Sequence, residues 1–473
     1  MSPDSLDLDP ALMRRLGYRV VDLLVDRIAG LDADRAWGGA PRAELEPRLS
    51  EPPPAGTRDF DAILDRLTRD VLPFAGRIDH PRFFAFIPSC PTWPGILGDF
   101  IAAGYNIFQG TWLESAGPSM LELVVLDWFR QWVGYPVEAS GVLLSGGSAA
   151  NLTALACVRE THPAGRSPHA RIYVSPETHS SLERATRILG FQRGQIRVLP
   201  TDGRGRLLPE ALAAAVEEDA RAGLAPFLAI GNAGTTSTGA VDPLRELAAV
   251  CAEHGLWLHA DAAYGGFAVL TERGRALLDG LELADSITLD PHKWLFQPYE
   301  AGCLLVRRAE LLHRAFHIIA DYLQDTAVAG AEVNFADRGI QLTRSARALK
   351  IWISLQYFGV DTFRRAIDRA LDLALHAQRI IEAMPQLELL SPAALSIVCF
   401  RRRLPVEGPD AEADLERVNA ALVQRLAQSG VGMISSTRVA GRYALRLCIM
   451  NHRSRAEDVE RVLRWLAEEP LPA

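Results

Sequence analysis

Ser286-Ile287-Thr288-Leu289-Asp290-Pro291-His292-Lys293-Trp294 reads as a short apolar strand that runs into a lysine set between histidine and tryptophan. An amine in that setting is partly dehydrated. Burial disfavours the ammonium and can lower a lysine pKa by several units, which frees the nitrogen to attack a carbonyl. Lys293 is therefore a candidate nucleophile. A His-Lys pair after a strand is also an ordinary solvated strand end, so its neighbours along the chain decide.

Outward from this stretch, from about Ser115 to Ala320, apolar runs of strand length alternate with helical segments. The runs are Gly141–Leu144, Arg171–Val174, Ile196–Leu199, Phe227–Ile230, Leu256–His259, Ser286–Leu289 and Gly302–Val306. Most lack polar alternation, as expected of strands covered on both faces. Helical patterns such as Asn151–Glu160 and Pro243–His254 lie between them. The alternation predicts an α/β fold: a mostly parallel seven-stranded sheet with flanking helices. Ligands of such sheets bind at the carboxyl ends of the strands.

Before this region, Leu12, Leu16, Val20, Leu23, Leu24 and Ile28 recur at helical spacing, and Gly30 can end that helix. Trp37 to Thr57, with Pro41, Pro47 and Pro52-Pro53-Pro54, reads as an extended arm. Such an arm packs on another subunit or folds back on its own chain. After the region, one helix from about Ala346 to Leu375 leads to a smaller unit. There Ser396–Phe400 and Tyr443–Ile449 read as strands, and Ala411–Gln428 and Arg455–Glu468 as helices. The expected division is a helical N-terminal arm over 1–84, a large α/β domain over 85–375 and a small C-terminal α+β domain over 376–473.

Composition narrows the class. Of 473 residues, 48% are apolar and 23% charged, as in an ordinary globular protein. The net charge of -8 has no basic stripe with interleaved aromatics, which argues against nucleic acid as a partner. Arg401-Arg402-Arg403, between Phe400 and Leu404, reads as a strand end and turn. No apolar run approaches the ~20 residues of a membrane span. Met1 to Pro10 is acidic and lacks the pattern of a signal peptide. The six cysteines, at 90, 157, 251, 303, 399 and 448, form no Cys-x-x-Cys pair, so buried free thiols in a reducing cytoplasm are expected and no metal site is.

Four further motifs fall at the expected strand ends. Ser145-Gly146-Gly147-Ser148-Ala149-Ala150-Asn151 follows a strand and opens a helix. Glycines allow close backbone approach, and free helix N–H groups bind an anion, here with the Gly147 and Ala149 amides and the Ser148 hydroxyl. A plain strand–turn–helix has the same outline, and the lysine of a nucleotide-triphosphate loop is absent. His179, in Glu177-Thr178-His179-Ser180-Ser181, is placed to stack on a planar ring above the sheet or to lie on the surface. Gly234-Thr235-Thr236 offers another polar contact or a capped turn. Asp261, in His259-Ala260-Asp261-Ala262-Ala263-Tyr264, can pair with a pyridinium nitrogen, keeping it protonated so that the ring accepts electrons, or can cap a helix.

Phosphate cup, stacking histidine, threonine, ring-nitrogen carboxylate and lysine, in this order, suit one cofactor, pyridoxal phosphate, with Lys293 as its Schiff-base lysine. The chain resembles the group II pyridoxal-phosphate decarboxylases, closest to the aromatic L-amino acid decarboxylases. The likeness rests on His80-Pro81-Arg82-Phe83-Phe84-Ala85-Phe86, Thr178-His179-Ser180-Ser181, His259-Ala260-Asp261-Ala262-Ala263-Tyr264 and Pro291-His292-Lys293-Trp294, and runs from about residue 8 to 465.

The resemblance implies a fold-type I homodimer with the active site at the subunit interface. It implies that Lys293 carries the cofactor, Asp261 partners the pyridine nitrogen, and His179 and Ala263 cover its two faces. Gly147, Ser148 and His292 would surround the phosphate, Thr236 would lie near the ring oxygen and His179, and Asp290 would contact the cofactor, adding negative charge beside it. Tyr322, in Phe316-His317-Ile318-Ile319-Ala320-Asp321-Tyr322-Leu323, matches a loop tyrosine that helps protonate Cα, and residues 324–334 suit a lid. Phe86, Ile87, Pro88, Ser89, Phe108 and His179 would contact the substrate. Two positions depart from the pattern. Asp290 stands where many relatives have asparagine, and Gly110 replaces a bulky aromatic. The implied activity is decarboxylation of an L-amino acid, with tryptophan, tyrosine, phenylalanine or dopa favoured. The alternatives are a non-aromatic substrate, or an aldehyde synthase that adds oxidative deamination. Tyr322 and His179 favour simple decarboxylation.

Overall fold

Seven strands form one sheet: β1 Ser140–Leu144, β2 Ala170–Val174, β3 Ile196–Val198, β4 Ala225–Asn232, β5 Trp257–Asp261, β6 Ser286–Leu289 and β7 Gly302–Val306. The structure is a computed structural model that describes residues 6–88, 90–318, 321–326, 331–405 and 408–470, with Tyr322 and Leu323 described by backbone alone. The spatial order is β1-β7-β6-β5-β4-β2-β3. From β6 to β3 all pairs are parallel, whereas β7 runs antiparallel to both neighbours. The mostly parallel sheet matches the reading of the apolar runs. Its central strands are buried because helices, among them Gly147–Thr161 and Leu244–His254, cover its faces.

A second sheet is built from β8 Leu387–Ala394, β9 Ile397–Arg402, β10 Ser435–Val439 and β11 Arg442–Cys448, in the antiparallel order β10-β11-β9-β8. The helices Val360–Ala383, Ala411–Ser429 and Ala456–Glu468 pack against it around a separate core. Two of its four strands escape sequence reading. β10, Ser-Ser-Thr-Arg-Val, has no apolar run, and β8 holds Pro392 and register irregularities.

Three other expectations change. The single helix expected over 346–375 is two, Arg347–Phe358 and Val360–Ala383. Gly359 between them sits at φ 70°, a conformation glycine adopts without strain, and the helical pattern resumes beyond it. The expected boundary at 375/376 falls inside the second helix. The arm expected to be extended over 37–57 holds a helix, Arg42–Leu49, despite Pro47, supported by Arg42–Glu46 and Arg48–Glu44 pairs.

The helix Pro10–Gly30 forms as its periodicity predicts, capped by Asp9, yet none of its residues is buried. Residues 82–86 instead join the C-terminal unit. The Phe84 N–H donates to the Met433 carbonyl (2.7 Å), its carbonyl accepts from the Cys448 N–H (2.9 Å), and its ring is buried in the second core. Burying such a ring contributes about 1.5–3 kcal/mol. The buried Glu122–Arg344 ion pair (2.7 Å) fastens the helix Trp112–Val133 to β1, through Glu122 to the Leu143 N–H and Arg344 to the Leu143 carbonyl. All six cysteines are free and buried. Among the described residues no helix is long and apolar enough to cross a membrane.

Candidate active site

The carboxyl ends of β1, β2, β4, β5 and β6 converge on a cavity of about 270 Å³. Ser145–Ala149, His179, Thr236, Asp261, Ala263, Asp290, His292 and Lys293 line it, with Asn151, Glu177, Asn232 and Tyr264. The sequence motifs, up to 148 residues apart, thus meet at one place.

One end is built for an anion. Gly146 takes φ 154°, open to glycine, and turns the chain into the helix Gly147–Thr161. The first amides of that helix, Gly147 and Ser148, have no intrahelical partner. The Ala149 N–H, expected to join them, donates to the Gly146 carbonyl instead (3.0 Å). A Cβ on Gly147 would lie 3.0 Å from the Ala263 Cβ and 3.1 Å from Asp290 Oδ2, so a side chain here would crowd both. His292 closes this end. Its Nδ1 accepts the Ala301 N–H (3.1 Å), and burial lowers its pKa to about 4. The ring is therefore neutral with its proton on Nε2, a hydrogen-bond donor without charge.

Lys293 Nζ lies 2.8 Å from Asp290 Oδ2, because the short helix Pro291–Trp294 brings residues three apart together. Burial works to lower the lysine pKa, but Asp290, with Asp261 and Tyr299 behind it, outweighs burial and raises it. The lowering expected from burial alone is thus reversed. The second oxygen of Asp290, Oδ1, is buried with no hydrogen-bond partner among the described residues.

At the opposite end Asp261 is fixed on both oxygens. Oδ1 accepts the Ala263 N–H (3.2 Å) and Oδ2 the side-chain amide of Asn151 (2.9 Å). Asn151 is a hub. Its amide also donates to Ser181 Oγ (2.9 Å), which sits 2.8 Å from His179 Nδ1. Its carbonyl accepts from Thr288 Oγ1 (2.7 Å) and lies 3.1 Å from His259 Nε2. Burial lowers the His259 pKa to about 4, so this imidazole is neutral, and its Nδ1 meets Ser286 Oγ at 2.8 Å. Asn151, Ser181, His259 and Thr288 were not foreseen as site residues. Asn151 closes the glycine motif and His259 precedes Asp261 by two, but only the fold reveals that they touch.

Of the expected substrate residues, His179 lines this cavity. Phe86, Ile87, Pro88 and Phe108 are not among its lining. Phe86 is 61% exposed, with φ 55°, its N–H on Ser435 Oγ (3.2 Å) and its carbonyl on Arg446 (2.6 Å). Gly110 has no room for a side chain, since a Cβ would meet the Phe108 ring at 2.6 Å. Ser89 and the Tyr322 side chain lie outside the described residues.

A family model described as the pyridoxal-dependent decarboxylase conserved domain matches residues 43–403. The chain belongs to the pyridoxal-dependent decarboxylase family. It is 39% identical over 471 residues to an aromatic-L-amino-acid decarboxylase of Bacillus atrophaeus, covering 98% of each chain. It is 30% identical over 475 residues to a phenylacetaldehyde synthase of Arabidopsis thaliana, covering 98% of this chain and 96% of the other. The crystal structure of Oryza sativa TDC with PLP and tryptamine superposes with a TM-score of 0.91 at 29% identity, covering 98% of each. The protein is a pyridoxal-phosphate-dependent carboxy-lyase of fold-type I. The cavity suits that cofactor: amide donors and a neutral His292 donor at one end, a fixed carboxylate at the other, and an amine between.

Proposed function

We propose that this decarboxylase converts an aromatic L-amino acid (tryptophan, tyrosine, phenylalanine or dopa) to its amine and carbon dioxide. The observation that carries the reading is the pairing, in one cavity, of the Lys293 amine with an Asp261 carboxylate held by Asn151. The 39% identity to an aromatic-L-amino-acid decarboxylase supports the substrate class. Pyridoxal phosphate, when bound, supplies the electron sink that accepts the pair left by departing carbon dioxide.

In this reading Lys293 holds the cofactor covalently. Gly147 and Ser148 amides, His292 Nε2–H and Asp290 surround its phosphate. Asp261 holds a proton on the ring nitrogen, and Asn151 holds Asp261 in place. His179, Ala263 and Thr236, which line the cavity, would hold the ring between them. Tyr322 would deliver a proton to Cα, and the segment 324–334, of which residues 327–330 lie outside the described residues, would serve as the lid that excludes water.

The working unit is a homodimer whose N-terminal arm embraces the second subunit, and the large and small domains meet along the shared helix Val360–Ala383. The wholly unburied helix Pro10–Gly30 and the outward-facing Phe86 support this. Phe86, Ile87, Pro88, Ser89 and Phe108 then complete the partner's site, giving the substrate ring an apolar wall. Six buried free thiols support a cytoplasmic setting.

The test is product analysis on a panel of aromatic, acidic and aliphatic L-amino acids, with amine, aldehyde and peroxide measured together. Stoichiometric amine and carbon dioxide from an aromatic substrate are expected. Preference for an acidic or aliphatic substrate would refute the aromatic assignment. The similarity to a phenylacetaldehyde synthase makes oxidative deamination the second reading. Aldehyde and peroxide as the main wild-type products would establish it.

A further inference from the structure

Asp290 is an anion set where an anion is to bind. It is 2% exposed, and its Oδ2 faces the Gly147 turn at the helix N-terminus. The titratable groups around it are few. On its own turn are Lys293 at 2.8 Å and His292 at 3.6 Å. The Cys303 thiol on β7 is held neutral by burial, and the Tyr299 phenol after that turn, though half exposed, is neutral as well, its pKa raised by partial desolvation. His292 is held neutral as well. Lys293 is thus the one cation that pairs with Asp290 among the described residues.

A phosphate ester above pH ~6 is a dianion. Seated on the Gly147 and Ser148 amides it lies against a buried carboxylate whose Oδ1 is unpartnered among the described residues. Two anions at hydrogen-bond distance in a buried site cannot both keep full charge without a further cation or a proton. Among the described residues no cation other than Lys293 pairs with Asp290. An oxygen pair at that distance, by contrast, is what a single proton bridges.

We propose that Asp290 is a positioning residue that makes capture of the cofactor's phosphate a proton-coupled step. One proton enters from solvent on binding and is held between the Asp290 carboxylate and a phosphate oxygen. No other bond changes in this step. The inference rests on the proposed seating of the phosphate at the Gly147 turn. It also gives a physical role to the departure from asparagine at this position. An asparagine amide donates to a dianion at any pH, whereas the aspartate requires the proton and so loosens its hold as the pH rises.

The test is equilibrium dialysis of the loaded full-length enzyme against buffered pyridoxal phosphate between pH 6.5 and 8.5 (a window on the order of the phosphate and neutral range), with retained cofactor read by absorbance. The same series with pyridoxal, which lacks the phosphate, removes the contribution of Lys293 chemistry common to both. In the wild type, Kd for pyridoxal phosphate should rise more steeply than Kd for pyridoxal, with an excess of about tenfold per pH unit. In Asp290→Asn the excess should vanish. An equal excess in both proteins, or none in the wild type, overturns the proposal. If Asp290→Asn fails to fold, the wild-type comparison alone decides by the same criterion. Borohydride fixation followed by peptide mapping reports on the underlying site. An adduct away from Lys293 refutes the seating itself, and this inference with it.

Discussion

Asn151→Ala separates the function of the Asp261 carboxylate from its mere presence. The side chain is 1% exposed and makes four polar contacts, to Asp261, Ser181, Thr288 and His259. Each neutral bond contributes about 0.5–1.5 kcal/mol, and the bond to an ionised carboxylate about 1.5–3 kcal/mol. The truncation leaves those partners buried, so stability should fall by about 3–5 kcal/mol. A scanning-fluorimetry melt of the full-length enzyme should drop by several degrees. The catalytic consequence follows from the Asp261 bond alone. If that bond serves turnover, losing about 1.5–3 kcal/mol lowers kcat about 10- to 150-fold. KM should change little, because no atom of Asn151 is assigned to the substrate. The refuting result is a variant that melts lower yet keeps kcat within about twofold of wild type. Asn151 would then be structural, and the orientation of Asp261 would not limit turnover. An unchanged melt would deny the network itself.

Asp261→Asn, which keeps the shape and removes the charge, should cut kcat by at least about 10²-fold while retained cofactor, read by absorbance, changes far less; the ring loses the partner of its protonated nitrogen, but the phosphate end is intact. Glu122→Ala strands the Arg344 cation in the core and should cost about 3–5 kcal/mol, seen as a lower melting temperature with unchanged KM in the surviving fold. Stability should fall steeply from pH 6.5 to 4: burial lowers the pKa of His259, His292 and His452 from 6.5 to about 4, so the unfolded chain binds more protons in that window, and acidification costs on the order of 3 kcal/mol for each. Buried Asp242, raised from 3.8 to about 6, works in the opposite direction, with smaller contributions from Asp99, Glu177 and Asp285, whose pKa values burial also raises, and melts at half-unit pH steps should show the net loss set by the three histidines.

The sheet was legible because most of its strands are apolar runs covered on both faces, so composition marks them; the edge strand β3, Ile-Arg-Val, is the less buried exception. β10 was illegible for the converse reason: a half-buried strand of serine, threonine, arginine and one valine has no composition that differs from a loop. The helix break at Gly359 was equally hidden, since the apolar period continues on both sides. The site residues that end strands, Asp261 and Lys293 among them, could be read because a fold of parallel strands delivers its strand ends to one place. What holds them could not. Asn151 reaches Asp261 and Thr288 only because β5 and β6 lie side by side, pairing Asp261 with Thr288.

Lys293 makes the sharpest contrast. Burial is a property that hydrophobic neighbours announce, and it alone argues for a free amine. Asp290, three residues earlier, argues the opposite, but only once a single helical turn has placed its carboxylate 2.8 Å away. The sign of the shift therefore rests on a local geometry of four residues rather than on their identities. The same reasoning applies to the substrate wall. Phe86 has the aromatic character that the chemistry calls for, yet its backbone is anchored to Ser435 and Arg446 so that the ring faces outward, away from this chain's own cavity. An aromatic held outward by two backbone hydrogen bonds is costly to leave in water. Under the proposed homodimer the same ring would gain both burial and a role, so substrate preference and dimer assembly should respond together to changes at Phe86.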